Sequence, residues 1–495
     1  MFKKIVFGLI TLVTLLGCYA GYQMLYGGFT FLDKNVVEIT FSENISSYDP
    51  FSFVEANNQR LVNIYEPLVK FDENLTIQPV LVSSFGKLDD TTWEFKLKPN
   101  IFFHDNSKLT PEIVQKSIYR AKSIPAMKAL TSTIANIDLV DDSTFIIKTT
   151  SNDNLLLTKL AHIFITPDIS INDLIANPIG TGQYKVKKIY DEELHLIGFE
   201  NYHGSKSNFQ KLIISYTPDQ IERVNMMEQL DNLLMVNSVP VSFADKVNRD
   251  KFQIVSTPNN AVNFFLFNFN RPYFKDLSKR KFFLKFFDDR SILHITDNQA
   301  KPTDQFVGSG VFGYNPEIIV ENFADDKETL SEAKKSRVPG SRLKIAVSED
   351  LAIFKELIEQ KMFKVGVVTI IDLIPNSELL NKEKLSNYDL IFIGWKSDFG
   401  DSISFFENIA ISNAGLNLGG YRNKKLDNLV TEAISSKDDI TRRSLLNEAM
   451  TEVSVTNPIG IPLFESVTIY SVNKNYSYKQ RLDGIIDINN FTKIQ

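Results

Sequence analysis

A single cysteine among 495 residues, Cys18, leaves no partner for a disulfide and no thiol in the body of the chain for nucleophilic catalysis or a thiolate metal site. The five histidines, at 104, 162, 195, 203 and 294, show no metal-ligand spacing, so no metal site is expected. Neither an HExxH helix nor a GxSxG elbow occurs. Hydrolysis therefore has no positive support: no catalytic residue, no enzyme activity and no cofactor are expected. The absence of a 20- to 50-residue period excludes solenoids and propellers. Excess positive charge is missing too. A net charge of −6 argues against nucleic acid as the main partner.

Hydrophobic residues make up 43% and charged residues 23%, ordinary values for a globular protein, and the length calls for two or three lobes rather than one core. The amino terminus reads as an export segment. Lys3-Lys4 is a positive start, Ile5 to Leu16 is apolar over signal-peptide length, and Leu15-Leu16-Gly17-Cys18 resembles the lipobox at which bacterial lipoprotein signals are cut and the cysteine acylated. Tyr19, Ala20, Met24, Leu25 and Phe29 prolong the apolar run to nearly a bilayer span, which keeps an uncleaved anchor open as the alternative. Either outcome puts the body outside the cytoplasmic membrane, tied to it at the amino terminus.

The most informative stretch is Trp93 to Ala121. Trp93, Phe95 and Leu97 alternate with Glu94, Lys96 and Lys98, the two-residue period of a strand with one dry face. Pro99-Asn100 turns the chain, Ile101 to Phe103 is a short apolar run, and Asp105-Asn106-Ser107 favours a second turn. A helix follows, with Thr110 suited to the N-cap, Pro111 to the first position and Val114, Ile118 and Ala121 on one apolar face. Asn106 tolerates the left-handed conformation that a glycine would supply there. His104 reads as a hydrogen-bonded turn residue. Four phenylalanines, Phe282, Phe283, Phe286 and Phe287, form a stripe that belongs to a core rather than a ligand site. Asp219 to Met235 carries a helical period with Ile221, Val224, Met227 and Leu230 to one side, and Gly180 and Gly182 permit a tight turn before a Tyr184-Lys185-Val186 strand. Leu343 to Val347, Ile353 to Met362, Val367 to Leu373 and Asp389 to Trp395 read strand, helix, strand, strand, an α/β unit whose strand ends form a crest suited to ligands.

The FHDN…LTPEIV block resembles the signature region of the bacterial extracellular solute-binding proteins of family 5, the oligopeptide- and dipeptide-binding components of ABC importers. Further blocks resemble the same family in order from about Val37 to Tyr470: SYDPFSF, NIYEPLVKF, NPIGTGQYKV, the passage from Asn263 to Leu293, IGWKSDFGDSISFF, GYRNKKLDNLVTEA and NPIGIPLF. Gln183 and Ser402 stand where the family usually has proline.

The resemblance implies an α/β fold of the periplasmic binding protein type, two lobes closing on a hinge with an additional domain inserted and a discontinuous lobe I. Residues 1–17 would be a lipoprotein-type signal segment or anchor and 18–35 a tether. Lobe I would take its first segment from 36–65, its second from 178–262 and its third from 463–495, with 66–177 as domain II and 263–462 as lobe III, the ligand-binding lobe. The resemblance also implies capture of a small ligand, a short peptide first among the choices, and delivery to ABC transporter permease subunits by a monomer. Nickel, haem and sugar ligands also occur in such proteins. A ligand-binding sensor or scaffold lipoprotein uncoupled from transport is the alternative. A buried peptide ammonium needs a counter-ion. By position in the motif, Asp398 would meet it, with Trp395 as an apolar wall, while Asp401 reads as a structural turn acid. Arg271, Arg280, Arg290 and Arg422 read as surface or interlobe ion-pair residues, and the group receiving a ligand carboxylate has no sequence signal.

Overall fold

The computed structural model describes residues 36–494 apart from 53–54, 74, 240–246, 288–294, 296–299, 376–377, 380, 398–399, 416, 418 and 437. The export segment with Cys18, and Arg290, lie outside the described residues. Two long strands, Phe252–Phe267 and Gly460–Asn473, carry the architecture; they run antiparallel from Phe252 opposite Asn473 to Leu266 opposite Gly460. Phe264, Phe265, Leu266 and Phe267 are all buried, as a strand covered on both faces requires. Their pairing is interrupted between Pro258 and Val262, where Asn260 takes a φ of 61°, so the pair bulges and twists at mid-length.

Each end of this pair seeds a different half of one eleven-stranded sheet. Towards Asn473 follow Leu233–Val236, Val36–Phe41, Lys211–Tyr216, Glu193–Gly198 and Tyr184–Ile189; towards Phe267 follow Leu390–Lys396, Arg342–Ser348 and Val368–Ile374. The last three are mutually parallel, with the Lys355–Lys364 helix as a crossover, which is the expected α/β unit. The lobe boundaries expected at 262/263 and 462/463 fall inside the two long strands.

A separate four-stranded antiparallel sheet, Val82–Asp89, Thr92–Leu97, Thr144–Thr149 and Ile134–Leu139 in spatial order, is built from the Trp93 block. Phe95 stacks on Phe145 at 5.4 Å, and the Pro111–Ser123 helix buries Val114, Ile118 and Ala121 in the same core. The Thr110 hydroxyl accepts from the Ile113 N–H at 3.4 Å, the expected cap. Asn106 has a φ of 68°, so the turn survives without glycine.

Two expectations are corrected. The helix begun after Asp219 ends at Gln229, and Leu233–Val236 is a strand between Gly460–Asn473 and Val36–Phe41. All four of its residues are buried, and a short run dry on both faces has no period that separates strand from helix. Ile221 faces solvent. Gly180 and Gly182 have no positive φ; they are small because the chain presses on Ile64, whose carbonyl oxygen would lie 2.1 and 2.6 Å from an added Cβ at the two positions. The four-phenylalanine stripe is core. Among the described residues no helix is long and apolar enough to cross a membrane.

Candidate ligand-binding cleft

The strand that ends the α/β unit delivers Lys396 and Ser397 to the carboxyl-terminal tail of the chain. The Lys396 ammonium donates to the carbonyl of Asp483 at 3.2 Å, tying the end of the Leu390–Lys396 strand to the tail. Lys396 lines two chambers. One, of about 250 Å3, has Asn259, Thr468 and Tyr470 of the long strands as its floor and Glu43 and Arg60 at its side. The other, of about 170 Å3, lies where the tail and the Asn63–Pro67 turn meet Phe71, His162 and Phe164 beside the four-stranded sheet.

The second chamber contains opposite charges already paired. Lys70 lies 2.9 Å from the Asp487 carboxylate, and Arg481 holds Asp483 through both Nε and an Nη. Burial pushes the Asp487 carboxyl up, but the Lys70 ammonium, with the Asn489 N–H, outweighs it and the net direction is down. Burial pulls the Arg481 guanidinium down and Asp483 more than restores it, so it ends above its usual value. Glu66 is fixed as an acceptor: Tyr202 O–H and His203 Nε2 each reach it at 2.8 Å and Thr181 O–H at 2.9 Å. Burial holds the His162 imidazole down to about 4, so it is neutral at pH 7.

What stays unsatisfied is neutral. Both ends of the Gln183 amide, a side chain 5% exposed, make no hydrogen bond among the described residues, and the Asn58 carbonyl oxygen makes none either. Both residues line this chamber. A buried polar atom in that state costs about 1–3 kcal/mol.

The signature block braces the chamber from behind. His104 Nδ1 accepts from the Gly180 N–H at 3.2 Å, so Nε2 carries the proton and donates to the Gly182 carbonyl at 2.8 Å. Burial pushes its pKa down to about 4. Gly182 in turn donates to the Ile64 carbonyl at 2.9 Å, fixing Gln183 against the Asn63–Pro67 turn.

Of the expected site residues, Asp398 lies outside the described residues. Trp395 is half-buried on the opposite strand face from Lys396, packed against the core around Phe264, Phe306 and Phe405, and its indole N–H has no acceptor among the described residues. Asp401 is structural: its carboxylate accepts from the Ile403 N–H at 2.9 Å and from buried Arg442 at 2.6 Å. Ser402 donates its backbone N–H to the Phe312 carbonyl at 2.9 Å, a bond proline could not make. Arg271 pairs with Asp389, and Arg280 donates to the Phe274 and Lys275 carbonyls and to Asn457. Sequence reasoning passed over Lys70, Arg481, Asp483 and Asp487. The last three carry one signal, charge recurring between apolar residues in the short run RLDGIIDI, and Lys70 carries none. Among the described residues no three His, Cys, Asp or Glu side chains gather as a metal site.

Comparison with known proteins adds the following. The model of the bacterial extracellular solute-binding proteins, family 5 Middle, matches residues 76–417. The chain is 24% identical over 443 residues to the nickel-binding protein NikA of Staphylococcus aureus, covering 87% of this chain and 89% of that one. It is 23% identical over 443 residues to the dipeptide-binding protein of Escherichia coli, covering 78% and 81%. Among solved structures, HbpA2 from Haemophilus parasuis superposes with a TM-score of 0.83 at 19% identity over 93% of this chain and 100% of that one, a likeness of fold.

Proposed function

Because this chain belongs to the bacterial extracellular solute-binding proteins of family 5, we propose that it captures a short peptide in the cleft bridged by Lys396 and delivers it to the permease of an ABC transporter. The observation that carries this reading is the cleft itself, in which the end of the Leu390–Lys396 strand meets the tail while two strands cross between the lobes behind it. Capture does the work without bond breaking: a ligand that contacts both lobes favours the closed form, and the closed surface is what a permease reads. The names of the dipeptide-binding and nickel-binding relatives support a small polar solute. A peptide suits a cleft with charged walls and main-chain groups at the end of a strand better than a bare ion does.

In this reading the division into lobe I, inserted domain II and lobe III follows the boundaries given above, Asp398 receives the ligand ammonium, and Trp395 serves as an apolar wall beside it. Acylated Cys18, or an uncleaved amino-terminal segment, holds the monomer at the membrane, and mass spectrometry of the mature amino terminus distinguishes them. The functional test is native mass spectrometry of what copurifies, with melting curves in the presence of dipeptides to pentapeptides. Asp398→Ala is expected to weaken a peptide with a free amino terminus far more than its acetylated form. Equal losses refute the role of Asp398, and failure of all peptides to bind or raise the Tm, with a nickel chelate doing so, refutes the peptide assignment.

A further inference from the structure

The two chambers that share Lys396 differ in what they leave open to a ligand. Neighbouring residues are divided between them, Asn58 and Asp483 lining one, Gln59 and Gly484 the other, so an extended ligand passing Lys396 would touch both. In the chamber over the long strands the accessible wall is mostly polar, with Ser42, Asn237, Asn259 and Thr468 among its residues. In the chamber beside the four-stranded sheet it is mostly apolar, although six charged side chains contribute to the lining. Those charges are already engaged. Lys70 pairs with Asp487, Arg481 pairs with Asp483, Lys396 donates to the Asp483 carbonyl, and Glu66 accepts from three donors. The carbon surface comes from half-buried Val62, Ala161 and Ile485 and from the rings of Phe71, His162 and Phe164. The Phe71 and His162 rings lie 5.8 Å apart, and the imidazole, neutral at pH 7, extends this wall without adding a charge. The volume of about 170 Å3 is close to the roughly 150 Å3 at which a dry cavity takes up a benzene ring.

We infer that the chamber walled by Val62, Ala161, His162 and Ile485 is a subsite for one apolar side chain of the bound peptide, of leucine or phenylalanine size, while the peptide main chain passes Lys396 into the polar chamber. A charged side chain would give up its hydration and meet carboxylates and cations that are already paired. A methyl group would leave most of the space without contacts. Burying an isobutyl or phenyl group in place of a methyl amounts to roughly tenfold to a hundredfold in affinity. This inference rests on the peptide reading above.

The test uses the full chain and its Ala161→Leu variant, which fills the chamber with carbon. Titration calorimetry is run with the tripeptides Xaa-Ala-Ala, Ala-Xaa-Ala and Ala-Ala-Xaa, in which Xaa is Ala, Leu, Phe, Asn, Glu or Lys, and the ligand-free Tm of both proteins is recorded. At one position the wild type is expected to bind Leu or Phe at least about tenfold more tightly than Ala, Asn, Glu and Lys. In Ala161→Leu that preference is expected to fall to about threefold or less, while the all-alanine peptide binds as it does to the wild type. Should Ala161→Leu melt several degrees lower, Ile485→Phe, which fills the same chamber from the tail, is read in its place. Peptide binding with no apolar preference at any position, or a preference that survives the filling, overturns the subsite and leaves the peptide reading intact. If no tripeptide binds either protein, the peptide reading fails and the subsite falls with it.

Discussion

His104 ties the signature block to the loop that positions Gln183, and its protonation gives a measure of that tie. In the folded protein the ring must be neutral, because Nδ1 accepts from Gly180 while Nε2 donates to Gly182. Burial holds its pKa at about 4, against 6.5 for a free imidazole. As pH falls below 6.5 the unfolded chain takes up a proton at this position and the folded chain does not, so stability drops through the window from 6.5 to about 4 and levels off below it. Each pH unit in that window is worth roughly 1.4 kcal/mol, and after discounting for the ring's partial contact with solvent the loss by pH 4.5 is about 2 kcal/mol. The perturbation is His104→Gln, whose amide can still donate to Gly182 and accept from Gly180 but does not titrate. Urea unfolding of both proteins at pH 7, 5.5 and 4.5 isolates the effect, since carboxylate contributions are common to the two. The stability of the wild type relative to the variant is expected to fall by about 2 kcal/mol between pH 7 and 4.5. Parallel pH profiles would refute the assigned tautomer and the burial argument together.

Two other perturbations test the framework. Gly182→Ala places a Cβ 2.6 Å from the Ile64 carbonyl oxygen and 2.8 Å from that of Asn63, neither of which can swing aside; a cost of about 3 kcal/mol is expected in denaturant melts, and a loss under about 1 kcal/mol would show that the turn can yield. Arg442→Met strands the buried Asp401 carboxylate, at a cost of about 3–5 kcal/mol that the double variant Asp401→Asn, Arg442→Met should largely recover; equal losses in the single and double variants would mean the pair contributes only through packing.

The local patterns were legible where a period or a turn chemistry is strong: the Trp93 strand, the capped Pro111–Ser123 helix, and the parallel strands around Lys355–Lys364 all carry their own signals. Leu233–Val236 was not, because a central strand is dry on both faces. The glycines were located correctly for the wrong reason, since close approach of Ile64 is a contact 116 to 118 residues away in sequence and leaves no trace in local composition. Of the cleft, the sequence pointed to the loop after the Leu390–Lys396 strand through Asp398 and Trp395, but not to Lys396 or Ser397, and the Lys70–Asp487 and Arg481–Asp483 pairs depend on a tail of ordinary composition folding back to the start of the chain.

The contacts between lobes explain why a ligand can govern closure. Besides the two continuous strands, Asn154 donates its amide to the Ile434 and Ser436 carbonyls at 3.1 and 2.6 Å, and Lys396 donates to the Asp483 carbonyl. Each is a hydrogen bond to a backbone carbonyl that water replaces on opening, so each contributes only about 1 kcal/mol net. These three bonds amount to roughly 3 kcal/mol, beside the packing of Leu155 against the core around Phe264 and Phe405. The strand pair itself is irregular at the Pro258–Val262 bulge. A solute touching both walls of the cleft adds to these contacts, and the Lys396–Asp483 bond lies in the chamber wall that it would meet.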